Sequence, residues 1–192
     1  MIYLAFYKEK DRLYNRSREH QLGRALLAFG LAREYGIEKE DIRIVTESGG
    51  KPCLDGHPGI CFNISHCDGA VVCAIHDELI GVDIEKIRPY TEALARRTLT
   101  EEEAAYLARQ PKKNRAACFI RYWTLKESYG KALGTGIAKS MKEISFRWDG
   151  EEHVSGSDPG FYHRTCMVRG TYQIAVSIKL REGREDDISG SF

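Results

Sequence analysis

The chain has 192 residues, of which 42% are hydrophobic and 30% charged, a composition typical of a globular protein and not of a disordered one. The formal net charge is only +1, so no overall field attracts DNA or a membrane surface. No apolar run approaches the roughly 18 residues needed to cross a bilayer, and no basic region precedes the short apolar N-terminus. We therefore expect a cytoplasmic protein with no membrane segment and no nucleic-acid partner.

Six cysteines are scattered along the sequence: Cys53, Cys61, Cys67, Cys73, Cys118 and Cys166. No CxxC pair is present, and in the absence of a secretion signal we expect free thiols in a reducing compartment. His57 and His66 lie among the first cysteines, but the spacings match no standard zinc site. The thiols are interpreted as small, mostly buried side chains.

The first half of the chain predicts a strand, a helix and then further strands. Strands are predicted at 2–7, 41–47, 60–65, 70–76 and 79–86, and a helix at 18–36. Residues 47–59 are rich in glycine and proline and predict a loop. The last three strands follow one another closely, which indicates a meander.

The second half predicts two helices followed by strands. Thr100 and Glu103 form a capping box that begins the first helix, and Pro111 ends it. A long helix is predicted at 115–134, and strands at 143–148, 161–168 and 172–180. Each half is thus an α+β pattern, and the polar tail at 183–192 is expected to fray.

One predicted strand carries two acidic residues on the same face. In "GVDIE", Asp83 and Glu85 are two residues apart, so their side chains point the same way. Taken alone, this pattern indicates an exposed, solvated strand edge, because surface carboxylates are the common case.

The long helix carries a ridge that changes from aromatic to charged. Its successive i, i+4 positions are Phe119, Trp123, Glu127 and Lys131. Taken alone, the last two form a surface ion pair worth a few tenths of a kcal/mol. Together with the strand carboxylates, however, Glu127 completes a set of three acidic groups, with Lys126 and Lys131 beside it. Such a set is suited to Mg²⁺ and a polyphosphate, because Mg²⁺ binds carboxylates together with substrate phosphates and lysines neutralise the remaining phosphate oxygens.

Two further segments contain candidate anion ligands. "GGKP" includes Lys51 and Pro52, but it lacks the glycine spacing and the Ser/Thr of a P-loop. "FNISHCDG" places Ser65 and His66 near a strand end, where a turn can present backbone N–H groups to an anion. A Ser/His hydrolase is disfavoured, since neighbouring strand residues point to opposite faces and no GxSxG motif is present.

Together, "GKP", "FNISH", "GVDIE" and "WTLKESYGK" resemble the phosphopantetheinyl transferases of the surfactin-synthetase-activating type. The resemblance implies two similar α+β lobes in one chain, which we place at 1–88 and 89–182, with coenzyme A and Mg²⁺ between them. It implies transfer of 4′-phosphopantetheine from coenzyme A to a serine hydroxyl of an apo acyl or peptidyl carrier protein, with release of adenosine 3′,5′-bisphosphate. It also implies a monomer, because both lobes belong to one chain.

The resemblance further implies roles for individual residues. The magnesium ligands would be Asp83, Glu85 and Glu127, and the coenzyme A ligands Arg24, Lys51, Pro52, Ser65, His66, Lys126 and Lys131. Within this set Arg24 corresponds to the 3′-phosphate ligand, and Lys51 and Pro52 to the loop at the adenine. Glu127 and Lys131 would be catalytic, the first as a base for the serine and the second as a stabiliser of pyrophosphate charge.

Two alternatives and one partner surface stay open at this stage. The same three carboxylates would serve a Mg²⁺-dependent nucleotide phosphohydrolase, and a coenzyme A-binding module without catalysis is a third candidate. The basic stretch at 109–121 predicts attraction of an acidic carrier protein, although a solvated helix face explains it equally well.

Overall fold

The computed structural model describes residues 1–46, 50–134, 141–148 and 153–181. Its strands are β1 (Ile2–Phe6), β2 (Ile44–Thr46), β3 (Pro52–Leu54), β4 (Cys61–Cys67), β5 (Ala70–His76), β6 (Ile80–Lys86), β7 (Phe146–Trp148), β8 (His153–Gly156), β9 (Phe161–Val168) and β10 (Tyr172–Lys179). Its α-helices are α1 (Arg12–Tyr35), α2 (Glu92–Thr98), α3 (Glu101–Arg109) and α4 (Lys112–Leu133). None of the helices in these ranges is long and apolar enough to cross a membrane.

Two antiparallel sheets form the centre of the molecule. One has the strand order β1-β5-β4 and the other β6-β10-β9-β8-β7, while β2 and β3 form a separate ribbon. Helix α1 packs on the first sheet through Leu27 and Leu31, and α4 packs on the second through residues such as Leu125. The remaining faces of β5, β6 and β10 share one apolar core, which includes Val72 and Val82. The layers are therefore helix, sheet, sheet, helix, and the predicted α+β class is confirmed.

The predicted meander is wrong at its third strand. Strand β4 pairs with β5, but β6 pairs along its length with β10, from Ile80 opposite Ile178 to Lys86 opposite Tyr172. This pairing joins the apolar residues of β6 and β10 into one buried face. Two strands alone would not bury such a face, because an isolated two-stranded hairpin is at best marginally stable in water. Strand β6 thus lies at the edge of the second sheet, and the division of the chain into lobes at residue 88 stays a prediction.

Helix α1 begins at Arg12 and not at residue 18. The Asp11 side chain caps it by accepting a hydrogen bond from the backbone N–H of Tyr14 at 3.0 Å. Leu13 and Tyr14 in the first turn are exposed and do not continue the apolar stripe of the later turns, so no apolar periodicity marks this part of the helix in the sequence. The predicted end is confirmed, because Gly36 terminates the helix with a left-handed φ of 66°.

In the second half the capping box of Thr100 and Glu103 is confirmed. Helix α4 begins at Lys112, with Pro111 as its N-cap, so it is longer at its start than predicted. Strand β9 has the predicted bounds and β10 ends one residue earlier, whereas α2, β3 and β8 were not predicted. The tail at 183–192, predicted to fray, lies outside the described residues.

Gly81 sets the distance between β6 and α4. A Cβ atom at this position would lie 2.0 Å from the carbonyl oxygen of Ser128 and 2.4 Å from the backbone nitrogen of Ala132. Both atoms belong to the backbone of α4, so the whole helix would have to move to make room. Glycine therefore allows this helix, which also carries Glu127 and Lys131, to lie directly against the acidic strand.

We expect Gly81→Ala to lower the free energy of unfolding by about 3 kcal/mol, because overpacking against helix backbone cannot be relieved by a rotamer change. Urea denaturation followed by tryptophan fluorescence measures this loss. Gly59→Ala is the control, since no atom lies within 4 Å of the added methyl group, and its stability should stay within about 1 kcal/mol of wild type. A fully stable Gly81→Ala variant would contradict the close packing.

Candidate active site

The centre of the site is a hydrogen-bonded triangle of three side chains. Asp83 Oδ1 accepts a hydrogen bond from Ser65 Oγ at 2.8 Å and another from Lys131 Nζ at 2.7 Å. Lys131 Nζ also donates to Ser65 Oγ at 2.8 Å. Asp83 is only 4% exposed. The triangle brings together β4, β6 and α4, so it forms only when both sheets and the helix are in place.

The other two predicted carboxylates surround this triangle. Burial and the nearby negative charge of Asp83 raise the pKa of Glu127 to about 7, although Lys131 opposes the shift. The pKa of Glu85 is also raised, first by burial and then by Asp83, while Arg88 and a hydrogen bond from Trp123 lower it. The three acidic groups therefore act on one another electrostatically, as expected for one shared site.

Two oxygens of the cluster are suited to a cation. Within the described ranges, Asp83 Oδ2 and Glu127 Oε1 are buried and have no hydrogen-bond partner. Unpaired buried acceptors are costly, and hard carboxylate oxygens are the ligands that Mg²⁺ prefers. In the same part of the chain, however, no three His, Cys, Asp or Glu side chains converge closely enough to hold an ion without rearrangement. The ammonium of Lys131 supplies the positive charge at Asp83 instead.

Lys126 lies outside the cluster. Its side chain is fully buried, and Nζ is 2.8 Å from Glu103 Oε2. The same Nζ donates to the carbonyl oxygens of Met141 and Ile144, each at 2.7 Å, so all three of its N–H groups are used. Glu103 in turn accepts a hydrogen bond from the backbone N–H of Phe146. The structure does not bring Lys126 to the predicted phosphate ligands, and its contacts join α4 to α3 and to the segment before β7.

Ser65 and His66 point to opposite sides of β4, as expected for neighbours on a strand. Ser65 joins the triangle, whereas the half-exposed His66 lies on the side of α1, with Nδ1 3.1 Å from Glu19 Oε2. The other oxygen of Glu19 accepts a hydrogen bond from the Tyr7 hydroxyl at 2.5 Å. His66 is thus next to the cluster in sequence but separated from it by the strand.

The predicted adenine loop contacts the end of α4. Lys51 Nζ donates to the carbonyl oxygen of Ala132 at 2.7 Å, near the C-terminus of α4, where a cation is favoured by the helix dipole. Pro52 begins β3 and is exposed. Lys51 therefore contacts the last turn of α4, at the residue that follows Lys131.

Arg24 is exposed on α1. It lines a pocket of about 560 Å³ together with Gln21, Lys39 and Ile42. Two cations at one pocket are suited to an anionic group, in keeping with the predicted 3′-phosphate ligand.

Two residues contact the cluster although the sequence analysis assigned them no role. Trp123 hydrogen-bonds to Glu85, and Asn63 Oδ1 accepts a hydrogen bond from the backbone N–H of Val82 at 3.0 Å. The sequence could have indicated Asn63, because it lies two residues before Ser65 and both side chains are therefore on the same face of β4.

The fold and the site together define an α+β protein with a buried carboxylate–lysine cluster where two helix-covered sheets meet. A sequence model of the 4′-phosphopantetheinyl transferase superfamily (ACPS) matches residues 79–177. The 4′-phosphopantetheinyl transferase Sfp of Bacillus subtilis (strain 168) is 33% identical over 171 residues, which cover 88% of this chain and 75% of its own. The chain belongs to the 4′-phosphopantetheinyl transferase superfamily and is of the Sfp type.

Other relatives are also transferases by name. The 4′-phosphopantetheinyl transferase HetI of Nostoc sp. is 38% identical over 133 residues, covering 66% of this chain and 56% of its own. The L-aminoadipate-semialdehyde dehydrogenase-phosphopantetheinyl transferase of Mus musculus is 30% identical over 161 residues, covering 76% and 51%. A crystal structure of a holo-(acyl-carrier-protein) synthase from Bacillus anthracis in complex with CoA (3′,5′-ADP) overlaps 52% of this chain and 93% of its own, with 24% identity and a TM-score of 0.45.

We expect Lys126→Met and Lys131→Met to have contrasting effects. Lys126→Met leaves the Glu103 carboxylate buried without its partner and should lower the free energy of unfolding by about 3–5 kcal/mol, with coenzyme A affinity of the folded protein unchanged. Lys131→Met should weaken coenzyme A binding by about tenfold or more, because it removes the cation of the cluster. Urea denaturation and calorimetric titration with coenzyme A measure the two effects. A stable Lys126→Met protein that no longer binds coenzyme A would restore Lys126 as a phosphate ligand.

Glu127 should make the metal-free protein less stable as the pH rises. Its pKa is about 7 in the folded protein against an ordinary 4.5, so between these values the folded state binds more protons than the unfolded state. The free energy of unfolding therefore falls as the pH rises through this window, by about 2 kcal/mol after allowance for solvent screening. Urea denaturation in EDTA across the window measures the slope. Glu127→Gln should flatten it, and equal slopes in both proteins would contradict the assignment.

Proposed function

We propose that this protein transfers the 4′-phosphopantetheine group of coenzyme A to a serine hydroxyl of an apo acyl or peptidyl carrier protein. The serine Oγ forms a bond to the phosphorus that carries pantetheine, the bond to the bridging oxygen breaks, and adenosine 3′,5′-bisphosphate leaves. Membership of the transferase family supports the reaction. The cluster of Asp83, Glu127 and Lys131 between β6 and α4 is the observation that carries the assignment of the site.

Glu127 is proposed to accept the serine proton. A general base is most effective when its pKa lies near the working pH, and burial beside Asp83 raises the pKa of Glu127 to about 7 when no metal is bound. A Mg²⁺ held by the same carboxylate would lower this pKa, so the proposed base role and the proposed ligand role of Glu127 compete. Its Oε1 atom is buried and has no hydrogen-bond partner in the described part of the chain, so it is available to an incoming hydroxyl.

Lys131 is proposed to change partners when coenzyme A binds. In the structure its ammonium neutralises Asp83 and contacts Ser65. A pyrophosphate at the cluster offers the same ammonium a stronger anionic partner, and the charge that develops there during transfer is stabilised by it. The proposed Mg²⁺ ligands are Asp83, Glu85 and Glu127, two of which have unpaired buried oxygens in the described residues. When bound, Mg²⁺ supplies a Lewis acid that draws charge from the phosphoryl oxygens.

An acidic carrier protein is the proposed partner. Lys112 and Lys113 lie exposed in the first turn of α4, which has no acidic residue and no side-chain cap. Positive charge at a helix N-terminus is unfavourable for the stability of the helix. Binding of an acidic partner would explain why the two lysines are present there. Arg121 from the same basic stretch is held by the Trp148 ring, 4.0 Å from its guanidinium carbon, and contributes less to this surface.

We also propose a cytoplasmic monomer. Cys67, Cys73 and Cys118 are free thiols, as a reducing compartment favours. The strand and the helix that carry the catalytic cluster come from the same chain, so no second copy is needed to assemble it.

The test of this proposal is the intact mass of apo carrier proteins incubated with the protein, coenzyme A and Mg²⁺. We expect the mass of one phosphopantetheine group to be added, and EDTA to abolish the addition. Glu127→Gln should reduce turnover far more than it reduces coenzyme A affinity. Release of adenosine bisphosphate without any carrier would instead indicate a phosphohydrolase, and unchanged carriers with bound coenzyme A would indicate a binding module.

A further inference from the structure

Strands β4 and β6 belong to different sheets, yet a row of side chains joins them. Asn63 Oδ1 accepts from the backbone N–H of Val82, and Ser65 Oγ donates to Asp83. Cys67 continues the row, since the backbone N–H of Lys86 hydrogen-bonds to its sulfur. Asn63, Ser65 and Cys67 alternate along β4, so they share the face that meets the acidic strand.

At this edge of β6 the described residues include no neighbouring strand of its sheet, and the Asn63 side chain provides the hydrogen-bond acceptor that such a strand would provide. The N–H of Val82 would otherwise be buried without a partner, which costs about 1–3 kcal/mol. The carbonyl oxygen of Val82 lies 3.4 Å from Lys131 Nζ. The backbone of the residue that immediately precedes Asp83 is thus held by one side chain from the first sheet and one from α4.

An amide is well suited to this position. It offers an acceptor oxygen to the backbone without adding a charge beside Asp83 and the other carboxylates. The neutral thiol of Cys67 satisfies the same condition, because burial and the neighbouring carboxylates Glu85 and Asp83 raise its pKa to about 12. The row therefore joins the sheets without increasing the negative charge of the cluster.

We propose that Asn63 is a positioning residue for the transfer reaction: it fixes the edge of β6 so that Asp83 keeps its contacts with Ser65 and Lys131. The proposal rests on the proposed function, and it extends the site to a side chain that contacts neither substrate nor metal. Loss of the Asn63 acceptor should loosen the strand at Val82 and shift Asp83 away from Lys131.

Three variants separate positioning from a general loss of stability. Asn63→Leu has the same number of side-chain heavy atoms but no acceptor, whereas Asn63→Gln keeps an uncharged amide acceptor. Ser177→Ala is the matched control, because it removes a different buried side-chain contact, to Ser128 and His163, on the face of the second sheet that packs on α4. Amide hydrogen exchange at Val82 and the steady-state constants with coenzyme A and a carrier protein are measured for each.

In Asn63→Leu we expect exchange at Val82 to accelerate by about tenfold or more and kcat to fall by about tenfold, with KM for coenzyme A nearly unchanged. Asn63→Gln should keep exchange at Val82 slow and recover most of kcat, and Ser177→Ala should alter neither. Fast exchange with normal kcat in Asn63→Leu, or an Asn63→Gln protein as impaired as Asn63→Leu, would overturn the proposal. If even the wild type transfers nothing, the proposed function fails. The Mg²⁺-dependent rise in Tm then replaces kcat, and an equal rise in wild type and Asn63→Leu overturns the positioning role.

Discussion

The contact between Gly81 and the backbone of α4 is the constraint on which the site depends. Because no side chain separates strand from helix there, residues on either side of the contact are forced close together. Asp83 follows Gly81 on the same face of β6, and Glu127 and Lys131 lie beside the contact atoms of α4. One packing interaction thus places the acidic and the basic parts of the cluster at once, and it does so in the dry layer between helix and sheet.

This arrangement gathers like charges in a buried place, which is unfavourable unless something offsets it. Lys131 offsets part of the charge through Asp83, while burial and then the charge of Asp83 still raise the pKa of Glu127. The charged face of the strand is therefore not a solvated edge, as the isolated pattern indicated, but a largely buried carboxylate–lysine cluster that the proposed cation and polyphosphate would complete. The unfavourable free energy of burying these like charges is offset by the apolar core that β6 shares with β5 and β10.

Signals local to the sequence predicted the fold well where they were strong. The capping box of Thr100 and the alternating strand β9 needed only neighbours in the chain, and both are confirmed. The pairing of β6 with β10 could not be predicted, because it depends on which distant strand completes a buried face. Lys126 and Lys131 look equivalent in "LKESYGK", but five residues turn a helix through about 140°, so only one of them faces the strand carboxylates. The sequence alone does not show which face of α4 packs against β6, and this orientation decides which lysine reaches the carboxylates.

The ion pair between Lys131 and Asp83 has a consequence for how the protein is made. A site that needed a metal for its charge balance would tie folding to metal supply, as in small zinc domains. Here the chain carries its own cation at the position where charge is needed, so a newly synthesised molecule can assemble both sheets before any divalent ion or coenzyme A arrives. Loading of the proposed Mg²⁺ would then be an exchange of cations within a finished fold, and not a step in building it.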